Sequence, residues 1–308
     1  MLRYALKRLL HIVPTLFGVT LLTFVLFDIV SPSPALIALG KNATKEAIEA
    51  YDKTHGYDKP LAVQYARYVA ALCRGDMGYS LEYRQPVARV LREGAWVSLS
   101  LTVPLLLIGT FIALMTGLAC AAYAGRGLDR ATLAVTTVIM SVNYVIWVTA
   151  GQYLFAFRLK LFPIWGFENW TYLLLPVLIG VLSGIGGDTR LYRTLILDEI
   201  RRPHVRTAIA KGLSPARVLL RHVLRNSLVT VVTNISLSVP FLFVGSILLE
   251  SFYGIPGLGG LGLNAVNSSD YAMVRAVVII GALLYQISNL LGDLAVAWLD
   301  PRVRLARV

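Results

Sequence analysis

TAIAKGLSPARVLLRH, residues Thr207 to His222, is a basic stretch deep inside a chain that is otherwise apolar. Pro203, just upstream, suits a first helical turn, where its missing N–H costs nothing, and Gly212 stands where a helix commonly ends in left-handed backbone. Ser214 and Pro215 then restart the chain, a hydroxyl cap ahead of a residue already set to helical φ. The stretch therefore predicts a basic helix, a corner and a second helix. By itself this equally fits a DNA-binding helix-turn-helix, and a net charge of +12 with a pI near 9.8 agrees with that reading. The sequence on either side decides.

Of 308 residues 56% are hydrophobic and only 15% charged, and mean hydropathy is +0.67. That leaves too little polar surface to cover a soluble domain of this size, so the chain belongs in a membrane. Six apolar runs are read as spans: Ile12 to Val30, Trp96 to Tyr123, Ala131 to Phe157, Tyr172 to Gly187, Leu228 to Leu249 and Val274 to Trp298. A bilayer core requires about 20 residues, which the fourth run reaches only if it continues past Asp188.

Charge orients the spans. Arg3, Lys7 and Arg8, then Arg126 and Arg130, then nine Lys/Arg from Arg190 to Arg225, then Arg302, Arg304 and Arg307 all fall on one side. The short opposite loops carry Arg158 and Lys160 in one and Arg275 near the other. Both termini are therefore expected in the cytoplasm, and the high pI reflects the positive-inside bias rather than nucleic-acid binding. Between Ser31 and Gly94 nine basic and seven acidic residues nearly balance in a segment too long to vote on topology.

The first run exceeds a signal-peptide core of about 7 to 15 residues, and SPSPALIALG after it offers no small-x-small cleavage site, so it reads as a retained anchor. Cys73 and Cys120, one outside and one within a span, imply no disulfide. In the outer segment, KNATKEAIEAYDKTHG and PLAVQYARYVAALCRG predict two helices, each followed by a glycine. Their expected role is a lid or spacer, because so few residues bury little core.

Within the spans, Gly109, Ala113, Gly117 and Ala121 recur every fourth residue, as do Gly180 and Gly184, a spacing that lets helix backbones approach closely. Pro104, Pro176 and Pro240 predict kinks. Polar side chains at membrane depth are costly and mark either a water-filled path or interhelical hydrogen bonds. Ser227, Thr230, Asn234 and Ser238 share one face of the fifth run and are read as path-lining; Gln286, Asn289 and Asp293 share a face of the sixth and are read as structural. Asn143 and Gln152 in the third run are further path candidates.

Gly257 to Gly262, GLGGLG, matches a dinucleotide-binding pattern but lacks the strand and βαβ unit that give the pattern meaning. Its glycines are expected to let a re-entrant turn pack against span ends. No G-x-x-x-x-G-K-[ST] loop occurs, the histidines His11, His55, His204 and His222 have no metal-like spacing, and no serine sits in a nucleophile motif. The chain is therefore read as non-catalytic, with no cofactor or metal of its own.

On these residues the chain resembles the membrane-spanning permease subunits of ABC importers in the dipeptide, oligopeptide and nickel family. The stretch Arg206 to Leu228, RTAIAKGLSPARVLLRHVLRNSL, is similar to that family's cytoplasmic loop motif, in which a glycine follows a coupling helix that docks on an ATPase. RLLHIVPTLFGVTLLTFVLF at the start, RGDMGYSL before the second span, LESFYGIPGLGGLGLNAVNSSDY after the fifth and LDPRVR at the end resemble the family in the same order. Where ABC importers in general begin the loop motif with Glu-Ala-Ala, this chain has Arg206, Thr207 and Ala208, so no acidic contact is implied. SPSPA after the first span also departs from a common Gly-Asp-Pro.

The resemblance implies a type I importer permease fold, all-α with six transmembrane helices, a cytoplasmic coupling helix and a small external helical segment. It divides the chain into residues 1–30 (N-terminus and first span), 31–94 (periplasmic segment), 95–300 (permease core with the coupling loop 190–226) and 301–308 (tail). It also implies coupling through Arg206, Thr207, Ala208, Lys211, Gly212, Leu213 and Ser214, and a path among Asn143, Gln152, Thr230, Asn234 and Ser238. The implied partners are a second homologous permease subunit, two ATPase subunits that bind the ATP, an extracytoplasmic substrate-binding protein and the lipid bilayer of the inner membrane, with no nucleic acid. The cargo implied is a peptide or related small solute. A six-span secondary transporter or channel, and a scaffolding membrane protein, are the alternatives; inverted-repeat and broken-helix signs of the transporter class are not evident.

Overall fold

The computed structural model describes residues 2–30, 39, 43–244 and 247–299, which divide into two compact units. SPSPA and the tail after Leu299 lie outside the described residues, as do the side chains of His11 and His55 and those from Pro240 to Val244.

One unit comprises the chain up to Gly94 together with Leu261–Gln286. Helix α1, Leu2–Phe24, widens into a π-helical turn at Val25–Val30. The two predicted external helices form as α2, Lys45–His55, and α3, Leu61–Cys73. Thr44 caps α2 by accepting the Ala47 N–H, and Gly56 ends it in left-handed backbone at φ 75°. Alongside α1, α3 contributes Tyr65, which meets Phe17 and Phe24 edge to face and shares a hydrogen bond with Thr20 at 2.9 Å. One helix of this segment therefore packs on the first apolar helix. A short hairpin follows, β1 Tyr79–Ser80 against β2 Gln85–Pro86, with Tyr79 opposite Pro86.

The other unit comprises Ala95–Gly260 and the chain from Ile287 onward. Its helices are α4, Val87–Ala122, which starts before it; α5, Gly127–Ser141; α6, Tyr144–Gly151, widening to π-helix over Gln152–Arg158; α7, Thr171–Ile200; and α8, Pro203–Ala210. After them come α9, Pro215–Arg217, with a π-helical stretch Val218–Leu224; α10, Arg225–Val244; and α11, Ile247–Tyr253, while α12, Leu258–Asn267, and α13, Tyr271–Leu299, each have residues in both units. Backbone stays helical from Pro215 through Val244, so the second half of the opening stretch runs straight into the fifth apolar segment. Of the two helices that the stretch predicts, α8 is a separate short helix and the second is continuous with the fifth apolar segment.

Among the described residues three helices are long and apolar enough to cross a bilayer: Val87–Ala122, Thr171–Ile200 and the described part of α13, Tyr271–Leu294. At 30 residues, α7 does continue past Asp188. The third run is not one straight span. Gly127–Ser141 and Tyr144–Arg158 are apolar enough only as a pair, bent by 88°. Val142 and Asn143 between them are extended, and Asn143 starts the second limb by accepting the Val145 N–H at 2.9 Å. The first apolar stretch, Ile12–Phe27, is shorter than a full span, and the fifth contains the undescribed positions 245–246. Six crossings are therefore not all present as unbroken helices.

Two apolar clusters hold this unit. One gathers Val97, Leu101, Val148, Leu175, Ile179, Leu249 and Tyr253; the other gathers Ala113, Leu118, Tyr192, Ile196, Val205, Ala208, Val218 and Val223. The small-residue stripe of α4 does pack: a Cβ on Gly117 would stand 3.1 Å from the Thr189 carbonyl and 3.0 Å from the Arg193 nitrogen of α7. Gly180 lies against Leu105, whereas a Cβ on Gly184 would meet nothing within 4 Å. Gly186 and Gly292 mark further close approaches, to Thr136 and to Ser236. Both α4 and α7 run uninterrupted through Pro104 and Pro176.

Candidate functional site

Only Arg201 and Arg202 separate α8 from α7. Pro203 occupies its first turn as expected, and its backbone ends in a double closure: Gly212 N–H donates to the Ile209 carbonyl at 2.9 Å and Leu213 N–H to the Ala208 carbonyl at 3.4 Å. These are the two bonds of a Schellman corner, which requires left-handed backbone at its glycine, and Gly212 has φ 78°. A Cβ there would meet nothing within 4 Å, so conformation alone selects glycine. Ser214 stands at the start of the next helix as predicted, yet its hydroxyl makes no capping hydrogen bond.

Burial divides this helix cleanly. Val205 and Ala208 face the apolar cluster with Tyr192, Ile196, Val218 and Val223. Arg206, Thr207, Ile209, Ala210, Lys211, Gly212 and Ser214 are exposed, and Leu213 is half-buried. Ile209 stands 58% exposed, an apolar side chain between basic and small residues. Ala208 therefore seats the helix rather than presenting a surface, and Ile209, which sequence reasoning passed over, is the outward apolar contact. Thr207 bonds its hydroxyl back to the Pro203 carbonyl at 3.1 Å.

The junction beneath this helix is polar. His204 Nε2 lies 3.2 Å from Glu199 Oε1 at the end of α7 and 3.1 Å from Asn226 Nδ2 at the start of α10. One turn and a half before Glu199, Arg193 forms a two-pronged ion pair with Asp129, at 2.6 and 2.7 Å, and Asp129 also accepts the Gly125 N–H at 2.8 Å. Arg190 donates to the Leu133 carbonyl and to Thr136 and Thr137. Two arginines thus clamp α7 to α5, and α8 hangs from the clamped helix.

The five path candidates fall on α6 with its π-helical continuation, Asn143 and Gln152, and on α10, Thr230, Asn234 and Ser238. Asn143 caps α6. Gln152 Nε2 donates to two carbonyls, Ile164 in a loop and Phe252 in α11, each at 2.9 Å. Asn234 Nδ2 donates to the buried Tyr192 hydroxyl at 3.2 Å, and Ser238 donates to the Asn234 carbonyl. Thr230 is exposed, and Ser227 is buried.

Besides Asp129, two further buried acids escaped the sequence reading. Glu250, fully buried, accepts the Ser98 hydroxyl at 2.7 Å and the Gly260 N–H at 2.9 Å, while Ser98 accepts the Leu258 N–H. GLGGLG opens α12, and a Cβ on Gly257 or Gly259 would strike the Glu250 carboxylate or Ile247, so these glycines make room for a carboxylate at a helix start. In the other unit, Asp270 accepts the Ser80 hydroxyl and the backbone N–H groups of Glu82 and Met273. For Glu250, an acid directly after an apolar run was the available signal, because a buried charge demands donors.

A helical membrane chain with a short surface helix held at a glycine corner is the architecture of an importer permease. The chain belongs to the family of binding-protein-dependent transport system inner membrane components, which it matches over residues 109–305; residues 1–102 match the N-terminal family of such components. It is an ABC importer permease subunit. The glutathione transport system permease protein GsiC of Salmonella paratyphi A (strain ATCC 9150 / SARB42) is 33% identical over 99% of both chains, and its counterpart in Escherichia coli (strain K12) is 31% identical over 99% of both. In fold, a chain of the inward-facing MetNI methionine ABC transporter superposes with a TM-score of 0.55 at 18% identity, over 68% of this chain and 96% of that one.

Proposed function

We propose that this permease carries short peptides or glutathione-like solutes inward, enclosing a path with a second homologous permease subunit and coupling through α8 and its Gly212 corner to two ATPase subunits. The observation that carries the coupling role is the division of α8 into a seated face, Val205 and Ala208, and an exposed face of Arg206, Thr207, Ile209, Ala210 and Lys211 around the corner. A short helix with one face locked and the other free transmits a push without absorbing it. ATP binding draws the ATPase subunits together and shifts α8; hydrolysis resets it, and all nucleotide chemistry stays on those subunits.

In this reading residues 31–94 face the periplasm and receive a substrate-loaded binding protein. Both termini, the loop 125–130 and the loop 190–226 are cytoplasmic, within the layout of first span, external segment, permease core and tail. Support for the cargo class comes from relatives named for glutathione transport. Thr230 and Asn143 are the exposed path candidates, with the half-buried Gln152, Asn234 and Ser238 as the other proposed contributors. The test is co-purification: Ile209→Glu should assemble with the partner permease but retain less than a tenth of the wild-type ATPase subunits. Wild-type retention would remove α8 as the docking element.

A further inference from the structure

An eight-residue helix is too short to hold its own orientation, and α8 gets its orientation from neighbours. Val205 and Ala208 supply apolar contact, which resists separation but permits sliding and rolling. The corner at Gly212 fixes the far end. At the near end Arg202 provides no side-chain cap, so the first turn depends on something else.

We infer that His204 is a positioning residue that holds the coupling helix to its flanking helices, one at a time; this rests on the reading of α8 as the coupling element. Its Nε2 lies 3.2 Å from Glu199 of α7 and 3.1 Å from Asn226 of α10, so one ring atom is within bonding reach of both neighbours. Glu199, with its side chain 17% exposed, also has Arg202 Nε at 3.7 Å from its other oxygen. Asn226 donates in addition to the His222 carbonyl at 2.9 Å, which fixes its amide nitrogen toward the ring. A ring nitrogen carries either a proton or a lone pair. With the proton, Nε2 donates to Glu199; with the lone pair, it accepts from Asn226. The imidazole therefore has two bonded settings at a single position, and in each of them α8 stays attached to one neighbour.

The test uses the complete complex, with partner permease, ATPase subunits and binding protein, in proteoliposomes, and reads the stimulation of ATP hydrolysis by the binding protein over the basal rate. His204→Ala should assemble with basal hydrolysis within twofold of wild type while stimulation falls at least fivefold. His204→Gln, whose amide sets an N–H and a carbonyl near the Nε2 position, should recover more than half of the stimulation. Adding Glu199→Ala to His204→Ala should cost nothing more. Wild-type stimulation in His204→Ala, no rescue by His204→Gln, or loss of assembly in His204→Ala overturns the inference. Ile209→Glu in the same assay separates the two levels. If it abolishes stimulation while His204→Ala is normal, only the pin fails; if it is also normal, the coupling role of α8 fails.

Discussion

Asn234 donates to the hydroxyl of Tyr192, 3.2 Å away, joining the fifth apolar segment to the fourth at a point where the tyrosine is almost wholly buried. The residue at the centre of the polar stripe is thus hydrogen-bonded to a neighbouring helix, and the tyrosine hydroxyl has a second side-chain partner in Thr110.

Asn234→Leu should therefore lower the thermal midpoint of the detergent-solubilised subunit, by the roughly 0.5–1.5 kcal/mol of one hydrogen bond, because the Tyr192 hydroxyl keeps its second partner, Thr110. In a Tyr192→Phe background the same replacement should cost less. An equal cost in both backgrounds would mean that Asn234 does not serve Tyr192, and a pure uptake defect at unchanged stability would mean that Asn234 acts in the path alone.

At the corner, Gly212→Leu forces a side chain into left-handed backbone at a cost of about 1–2 kcal/mol, with no steric clash to add. That is too little to unfold the bundle. It should insert and pair with its partner permease yet lose the ATPase or uncouple it, whereas Gly212→Asn should stay near wild type because asparagine tolerates this conformation. Lys211→Ala should be mild. Pull-down of the ATPase from membranes reads all three.

Glu250→Ala leaves the Ser98 hydroxyl and the Gly260 N–H buried without an acceptor, at about 1.5–3 kcal/mol for each bond to a charged group. Subunit yield in membranes should collapse. Glu250→Gln keeps one acceptor oxygen and should give an intermediate yield, and equal yields for both variants would mean that the carboxylate does not organise the glycine loop.

Gly117 and Gly184 make an internal contrast. Gly117→Ala pushes a methyl against the Thr189 and Arg193 backbone and should destabilise by about 1–3 kcal/mol, while Gly184→Ala meets open space and should be neutral in the same melting assay.

For orientation, cysteines introduced at Lys53 and Arg217, in a chain whose Cys73 and Cys120 are replaced, should react with impermeant maleimide from opposite faces of the membrane. Labelling from one face would overturn the proposed topology.

What the sequence discloses tracks how local the cause is. Gly212, Gly56 and the limits of α2 and α3 follow from neighbouring residues alone, because a left-handed turn needs glycine wherever it occurs. The packing stripe through Gly117 was legible from spacing, but Gly184 carries the same spacing without the contact, since a repeat does not say which face finds a partner. The 88° bend was hidden inside a continuous apolar run; Asn143 ahead of Tyr144 is a helix-start signal that hydropathy outweighed. Phe252 as a partner of Gln152, Tyr192 as one of Asn234 and Asn226 as one of His204 lie 100, 42 and 22 residues away in sequence, beyond the reach of any local rule.

Ser80 and Asp270, 190 residues apart in sequence, sit in one compact unit made of the N-terminal segment and Leu261–Gln286. The two family matches, by contrast, part between residues 102 and 109, inside the single helix Val87–Ala122. A chimera that grafts residues 1–102 onto a relative would carry Ser80 and the Glu82 amide without their own carboxylate. The unit of exchange is discontinuous, so a functional transplant of the outer segment has to bring Asp270 and the helix it caps along with it.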